Sequence, residues 1–120
     1  MNEVLFFDTY AFFEIIRGNL RYKPYLESRI ITTIFNLAEL NYNLKKEKDK
    51  NVADEYIDKY SKFAVEVTIE DIKKATDLKT IHKNLSIPDA IGYMIAKKHS
   101  VKFLTGDKDF EGMENVEFVK

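Results

Sequence analysis

The amino-acid sequence predicts an α/β domain built on a mainly parallel central sheet of four to five strands flanked by helices. Three observations predict it. Short runs of strand length, Val4-Leu5-Phe6-Phe7 and Val101-Lys102-Phe103-Leu104-Thr105, lie near the two ends of the chain, and the first is apolar at every position, as in a strand covered on both faces. Between them, helix-period patterns alternate with strand-like segments, and parallel pairing follows because each crossover needs a helix to return the chain. The chain has 120 residues, 45% of them hydrophobic, which suits one domain with one core. Residues 1–120 therefore read as a single domain.

Taken in order, Val4 to Phe7 is the first strand, with Asp8 at its carboxyl end. Thr9 to Arg17 carries Phe12, Phe13 and Ile16 on a helical spacing, and Gly18 behind it is a glycine stop. A polar connection containing Pro24 leads to a second strand at Arg29-Ile30-Ile31-Thr32. Thr33 then caps a helix running to about Lys46, and Lys48 to Phe63 reads as another with a charged face. Ala64-Val65-Glu66-Val67 reads as a third strand. Thr68 and Asp71 have the spacing of a capping box, opening a helix to about Lys83. Ser86-Ile87-Pro88-Asp89 opens the next helix, whose Ile91, Met94, Ile95 and Ala96 place it in the core. Val101 to Thr105 gives a fourth strand, and Val116-Glu117-Phe118-Val119 a fifth at the edge. There is no internal repeat, low-complexity tract or linker to a second domain.

Composition removes several kinds of chemistry. No cysteine is present, which excludes a disulfide framework, a thiolate zinc site and a cysteine nucleophile. Two histidines, His82 and His99, are too few for a histidine-built metal site. The formal net charge is −1, so there is no overall basic field for gripping nucleic acid, and any RNA contact must use a local patch. Met1-Asn2-Glu3 lacks the basic flank and the length of a signal peptide, and no apolar stretch is long enough to span a membrane, which predicts a cytoplasmic protein.

Ligands of open α/β sheets collect outside the carboxyl ends of the strands. Asp8 follows the first strand with no gap, and Asp107 follows the fourth after Gly106. Asp89 begins its apolar helix, so three acids converge on one edge. Carboxylates gathered this way raise one another's pKa unless a cation neutralises them, and oxygen-only ligands suit Mg²⁺ or Mn²⁺. Simpler roles stand beside these. Asp8 has the position of a helix N-cap, Asp89 that of the partner in a box capped by Ser86, and Asp107 and Asp109 lie in a stretch typical of a solvated turn. Asn36, Glu39, Asn43 and Lys46 fall on one side of their helix, the pattern of a solvent-facing stripe.

Four segments together carry more than any single acid. Leu5-Phe6-Phe7-Asp8-Thr9, Asn36-Leu37-Ala38-Glu39-Leu40, Leu85-Ser86-Ile87-Pro88-Asp89-Ala90 and Phe103-Leu104-Thr105-Gly106-Asp107-Lys108-Asp109-Phe110 resemble, in that order, the signature regions of the PIN-domain family, and most closely its VapC-type toxins. The resemblance covers essentially the whole chain. It implies the PIN three-layer sandwich, endoribonuclease activity with Mg²⁺ or Mn²⁺, and an acidic quartet of Asp8, Glu39, Asp89 and Asp107 supported by Thr9, Thr105 and Asp109. It also implies a small antitoxin partner and a homodimer, with Phe12, Phe13, Ile16, Tyr22, Tyr25 and Leu26 as candidates for an exposed apolar surface. Gly106 departs from the many relatives that carry arginine or another larger residue there. Arg17, Arg21, Lys23 and Lys45 are candidates for steering an RNA backbone, and Tyr10 and Tyr42 for stacking on a base, although such residues are more often surface or core elements. His82 reads as a surface helix residue. Phosphatases of the haloacid dehalogenase type expect a second aspartate where Tyr10 stands, and receiver domains expect an acid where Phe7 stands. The remaining alternative is a catalytically silent PIN-fold module that binds RNA or protein.

Overall fold

Side-chain alternation along the central strand sets the layers. In the computed structural model, which describes residues 3–120, β1 (Val4–Phe7) turns Leu5 and Phe7 to one face and Phe6 to the other. Met1 and Asn2, on which part of the N-terminal reading rests, lie outside the described residues. The chain continues through α1 (Thr9–Arg17), β2 (Arg29–Ile31), α2 (Ile34–Glu47), α3 (Lys50–Tyr60), α4 (Ile69–Ile81), α5 (Ile87–Lys98), β3 (Lys102–Thr105) and β4 (Val116–Phe118). The strands are all parallel, in the order β2-β1-β3-β4. Leu5, Phe7 and Leu104 pack against Phe12, Leu37, Leu40 and Ala53 from α1, α2 and α3. On the opposite face Phe6 stacks on Phe103, with ring centroids 5.4 Å apart, beneath Ala75 of α4 and Ile91, Ile95 and Ala96 of α5. The three layers and the parallel sheet are those the sequence predicts.

Local capping fixes most boundaries where the sequence places them. Thr33 Oγ1 accepts the Asn36 amide at 3.2 Å, and Thr68–Asp71 and Ser86–Asp89 form reciprocal capping boxes. Gly18, at φ 78°, ends α1 in the left-handed conformation that an L side chain resists. One expectation needs correction. Residues 64–67 do not form a strand: Ala64 makes a single parallel bridge to Thr32, supported by Val65 N donating to Thr32 O at 2.9 Å. Thr33, the next residue after the bridge, already caps α2, and a 3-10 helix, Ser61–Phe63, ends just before Ala64, so the ladder has nowhere to extend and the sheet has four strands. The connection around Pro24 is a 3-10 helix, Leu20–Tyr25, whose N-cap Asn19 accepts the Arg21 amide. No helix among the described residues is long and apolar enough to cross a membrane.

The end of the chain returns to its beginning. Tyr22, fully buried, donates its hydroxyl to Val119 O at 2.6 Å, and Val119 N donates to Thr105 O at 2.9 Å. This backbone passes so close to Gly106 that a β-carbon there would sit 2.1 Å from Val119 O and 2.5 Å from the Tyr10 ring. The glycine is a packing requirement, which explains the absence of a larger residue before Asp107. Gly106→Ala is therefore expected to lower unfolding free energy by about 1–3 kcal/mol through overpacking. Urea denaturation followed by circular dichroism measures it, and an unchanged midpoint would show that the C-terminal segment yields freely.

Candidate active site

The order β2-β1-β3 reverses direction at β1, and the crevice at such a point opens at the carboxyl ends of the strands. A cleft of about 450 Å³ lies there, and Asp8, Glu39, Asp89 and Asp107 all line it. Asp8 stands where strand becomes helix: its amide still donates to Leu104 O of the neighbouring strand at 3.2 Å, while its carbonyl accepts the Phe12 amide at 3.2 Å to begin α1. Its carboxylate makes no capping bond to that helix. Instead Oδ2 accepts from Thr105 Oγ1 at 2.7 Å, and Oδ1, buried, has no partner at all.

The other acids share this arrangement of one oxygen held and one left over. Asp89 Oδ2 accepts the Ser86 amide at 3.0 Å, Asp107 Oδ1 accepts the Asp109 amide at 3.0 Å, and Glu39 Oε2 accepts from Ser86 Oγ at 3.4 Å. Among the described residues the second oxygen of each has no protein donor. The roles that the sequence leaves as alternatives thus coexist in Asp89 and Asp107, which close a capping box and a 3-10 turn with one oxygen and face the cleft with the acid that remains. Thr105 links two of the acids, because its hydroxyl also accepts the Asp107 amide at 3.1 Å. Thr9 lies one step further back, donating to Asn36 O at 3.1 Å. Asp109 acts through its backbone and does not line the cleft.

Asn36 overturns the reading of a solvated stripe. It is fully buried, its side-chain oxygen accepts from Thr33 at 2.6 Å, and its Nδ2 donates to Pro88 O at 3.3 Å. This amide ties α2 to the start of α5 and so places Glu39 opposite Asp89. Gly92 makes the approach possible, since a β-carbon there would lie 3.1 Å from Asn36 Nδ2. The rest of the stripe, Glu39, Asn43 and Lys46, lines the cleft. Periodicity finds the polar face, but a cleft and open solvent ask for the same residues.

Electrostatics follow from the burial. The Asp8 carboxyl is pushed well above its usual range, first by loss of hydration and then by the charges of Asp89 and Glu39, against the opposing Thr105 bond. Burial likewise raises Asp89 to about 6, with Glu39 and Asp107 adding repulsion and the Ser86 bonds resisting it. An unpartnered buried carboxylate oxygen among like charges, with only oxygen donors around it, fits a hard divalent cation. The acids share a cleft without forming a finished cage: no group of three or more His, Asp or Glu among the described residues stands ready to hold an ion.

The remaining candidates separate cleanly. Of the basic residues proposed to meet RNA, Arg17 lines the cleft; Arg21 and Lys23 lie on the 3-10 helix, and Lys45 pairs with Asp54 at 3.4 Å on the α3 side. Tyr10 lines the cleft and Tyr42 does not. His82 is exposed at the C-cap of α4. From sequence Ser86 reads only as a cap, and Lys46, Glu47, Glu14 and Asn43 are not distinguished as site residues; the one signal is that Asn43 and Lys46 share the Glu39 side of α2, while Glu14 lies on α1.

Comparison with known proteins bears on this geometry. A family model described as the PIN domain matches residues 5–116. Among solved structures, a toxin–antitoxin complex from Klebsiella pneumoniae contains a chain 21% identical, with 94% of this chain and 95% of that one covered at a TM-score of 0.73. VapBC2 from Rickettsia felis, bound to a DNA fragment from its promoter, is 16% identical, with 97% of each chain covered at a TM-score of 0.68. No curated protein sequence matches the chain. The family match runs from the second residue of β1 to the first of β4, across every element that builds the cleft, and the chain therefore belongs to the PIN-domain family.

Proposed function

We propose that the chain is a divalent-metal-dependent endoribonuclease, the toxin of a type II toxin–antitoxin pair of the VapBC kind. The observation that carries this reading is the Asp8 carboxylate, buried with Oδ1 unpartnered and facing three further acids across one cleft of a PIN domain. Asp8, Asp89 and Asp107 would hold Mg²⁺ or Mn²⁺ through their spare oxygens, and a bound ion supplies Lewis acidity at the phosphate. Glu39, held by Ser86, orients the attacking water. Thr105 keeps Asp8 and Asp107 in register just beyond the ends of the adjacent strands β1 and β3. Water adds at phosphorus and the bond to the 3′ oxygen breaks, leaving 5′-phosphate and 3′-hydroxyl ends. The partner assignment is supported by the two structural relatives, whose chains were solved in toxin–antitoxin assemblies.

The apolar surface available to a second copy is smaller than the sequence implies. Phe12 and Tyr22 are core residues, 1% and 0% exposed, whereas Leu20 and Leu26 stand out at 80% and 58%. Homodimerisation and antitoxin binding are proposed on family grounds with this patch as a contributor.

Three outcomes test the reading. Purified protein is expected to cut single-stranded RNA in Mg²⁺ or Mn²⁺ and to stop on addition of EDTA; cutting that continues in EDTA, free of contaminating nucleases, would rule the mechanism out. The second concerns pH. Asp8 and Asp89 have folded-state pKa values above their unfolded ones, so their contribution favours folding below pH 4 and is lost as pH rises through the folded values, near 6 for Asp89. Asp8→Asn keeps a Thr105 acceptor and removes one charge. Without metal, it is expected to match wild type near pH 4 and to become progressively more stable than wild type as pH rises through the folded-state values, while losing both RNA cleavage and the rise in melting temperature that Mn²⁺ gives wild type. A mutant that cuts RNA and keeps the metal shift would remove Asp8 from the site. Third, light scattering at high micromolar concentration is expected to give a dimer mass, and a monomer would dissociate that part of the proposal from the rest.

A further inference from the structure

Six acids line the cleft, Asp8, Glu14, Glu39, Glu47, Asp89 and Asp107, against two cations, Arg17 and Lys46. A polyanion gains nothing on such a surface unless a cation meets its phosphates. Lys46 lies with its ammonium 4.9 Å from the centre of the Tyr42 ring, a point charge without fixed direction. Arg17 is organised quite differently. It is the last residue of α1, and its guanidinium rests 4.9 Å from the centre of the Phe13 ring. Nη1 donates to Glu14 Oε2 at 3.1 Å, and Nη2 donates to both oxygens of Glu47, at 3.1 and 3.3 Å.

Glu47 is the last residue of α2, so this ion pair crosses the rim of the cleft from one helix to another. Here one nitrogen, Nη2, is shared between the two Glu47 oxygens while Nη1 rests on Glu14, and the non-bridging oxygens of a phosphodiester offer the same guanidinium edge a pair of anionic acceptors. Both side chains are about half exposed, 55% and 51%, where an ion pair contributes little and exchange of one anion for another is cheap. Resting on the ribonuclease reading, we infer that Arg17 is a subsite for a backbone phosphate of single-stranded RNA, and that Glu47 is its resident competitor, occupying the guanidinium until RNA displaces it. Arg17 follows Asp8 by nine positions on one helix, about 13 Å along the axis. It therefore holds a phosphate other than the one that is cut, and its effect falls on KM rather than kcat.

The test is a double-mutant cycle on the intact protein, using a labelled single-stranded oligoribonucleotide of mixed sequence. Binding is read by fluorescence anisotropy in EDTA, and KM and kcat by cleavage in Mn²⁺. Glu47→Gln is expected to tighten binding about two- to fivefold, the scale of an exposed ion pair. Arg17→Ala weakens it at least as much and reduces the slope of log affinity against log salt by about 0.7, one single-strand phosphate contact; Arg17→Lys falls between. In the Arg17→Ala background, Glu47→Gln changes nothing. The inference is overturned if Arg17→Ala binds as wild type does, or if the gain from Glu47→Gln survives without Arg17, which would make it general relief of negative charge. Wild type that binds without cutting would sink the ribonuclease reading while the cycle still decides the subsite. Wild type that fails to bind in both conditions would overturn the two together.

Discussion

Parallel pairing of β1 with β3 is the constraint on which the rest of the molecule depends. Leu5, Phe6 and Phe7 align with Lys102, Phe103 and Leu104, and the pairing places Thr105 beside Asp8 with a 2.7 Å hydrogen bond between positions 97 apart in sequence. Behind that contact Phe6 and Phe103 stack, and in front of it the cleft opens. α2 and α5 are then positioned by a buried amide: the Asn36 side chain joins Thr33 and Pro88, while its backbone carbonyl receives the Thr9 hydroxyl. Apolar packing sets the layers, while these few polar bonds set which acids face one another. An amide with this much of its capacity satisfied in the interior is costly to replace, since each partner left alone loses the hydration it gave up on folding.

The acids are held in a way that reconciles stability with a charged interior. Every carboxylate of the four commits one oxygen to a donor from its own neighbourhood, so its orientation is fixed without cancelling its charge. What remains is a set of spare oxygens whose mutual repulsion the fold tolerates. The raised pKa values of Asp8 and Asp89 are the signature of that tolerance, the opposite of the lowering at Asp71, where the Thr68 amide and Lys98 meet a carboxylate that only caps a helix. Two capping boxes of the same form, Thr68–Asp71 and Ser86–Asp89, thus sit in opposite electrostatic settings.

Much of this was legible in the sequence, for identifiable reasons. β1, α1 and β3 were readable because uninterrupted apolar runs and a glycine stop leave few choices, and Asp8 and Asp107 because strand ends in a parallel sheet are where ligands collect. Residues 64–67 carry the alternation of a strand, but pairing also depends on what flanks it: the Ser61–Phe63 3-10 helix ends just before the Thr32–Ala64 bridge and Thr33 caps α2 just after it. The periodicity of Asn36, Glu39, Asn43 and Lys46 suits a solvated stripe as well as a cleft wall, because hydropathy records polarity and not what stands opposite; only the family pattern singles out Glu39, and nothing in the period marks Asn36 as buried. Phe12 and Tyr22 were offered as interface residues and are core residues, since a chain of this size has to spend its aromatic side chains on filling both faces of the sheet. Ser86 hides its second contact, to Glu39, behind a cap that any reading would assign first.

The long reach between Asp8 and Thr105 has a consequence for how such a protein is made. Synthesis proceeds from the N-terminus, and a nascent chain that has passed through α4 already carries Asp8 and Glu39 but neither Thr105 nor Asp107. Phe6 at that stage has no Phe103 to lie against, and the sheet lacks the strand that makes β1 central. The cleft needs β3, which brings Thr105 to Asp8 and carries Asp107 to the same edge. A polypeptide abandoned before β3 therefore holds Asp8 and Glu39 without the Thr105 hydroxyl or the Asp107 carboxylate, and the four acids cannot be brought together in it.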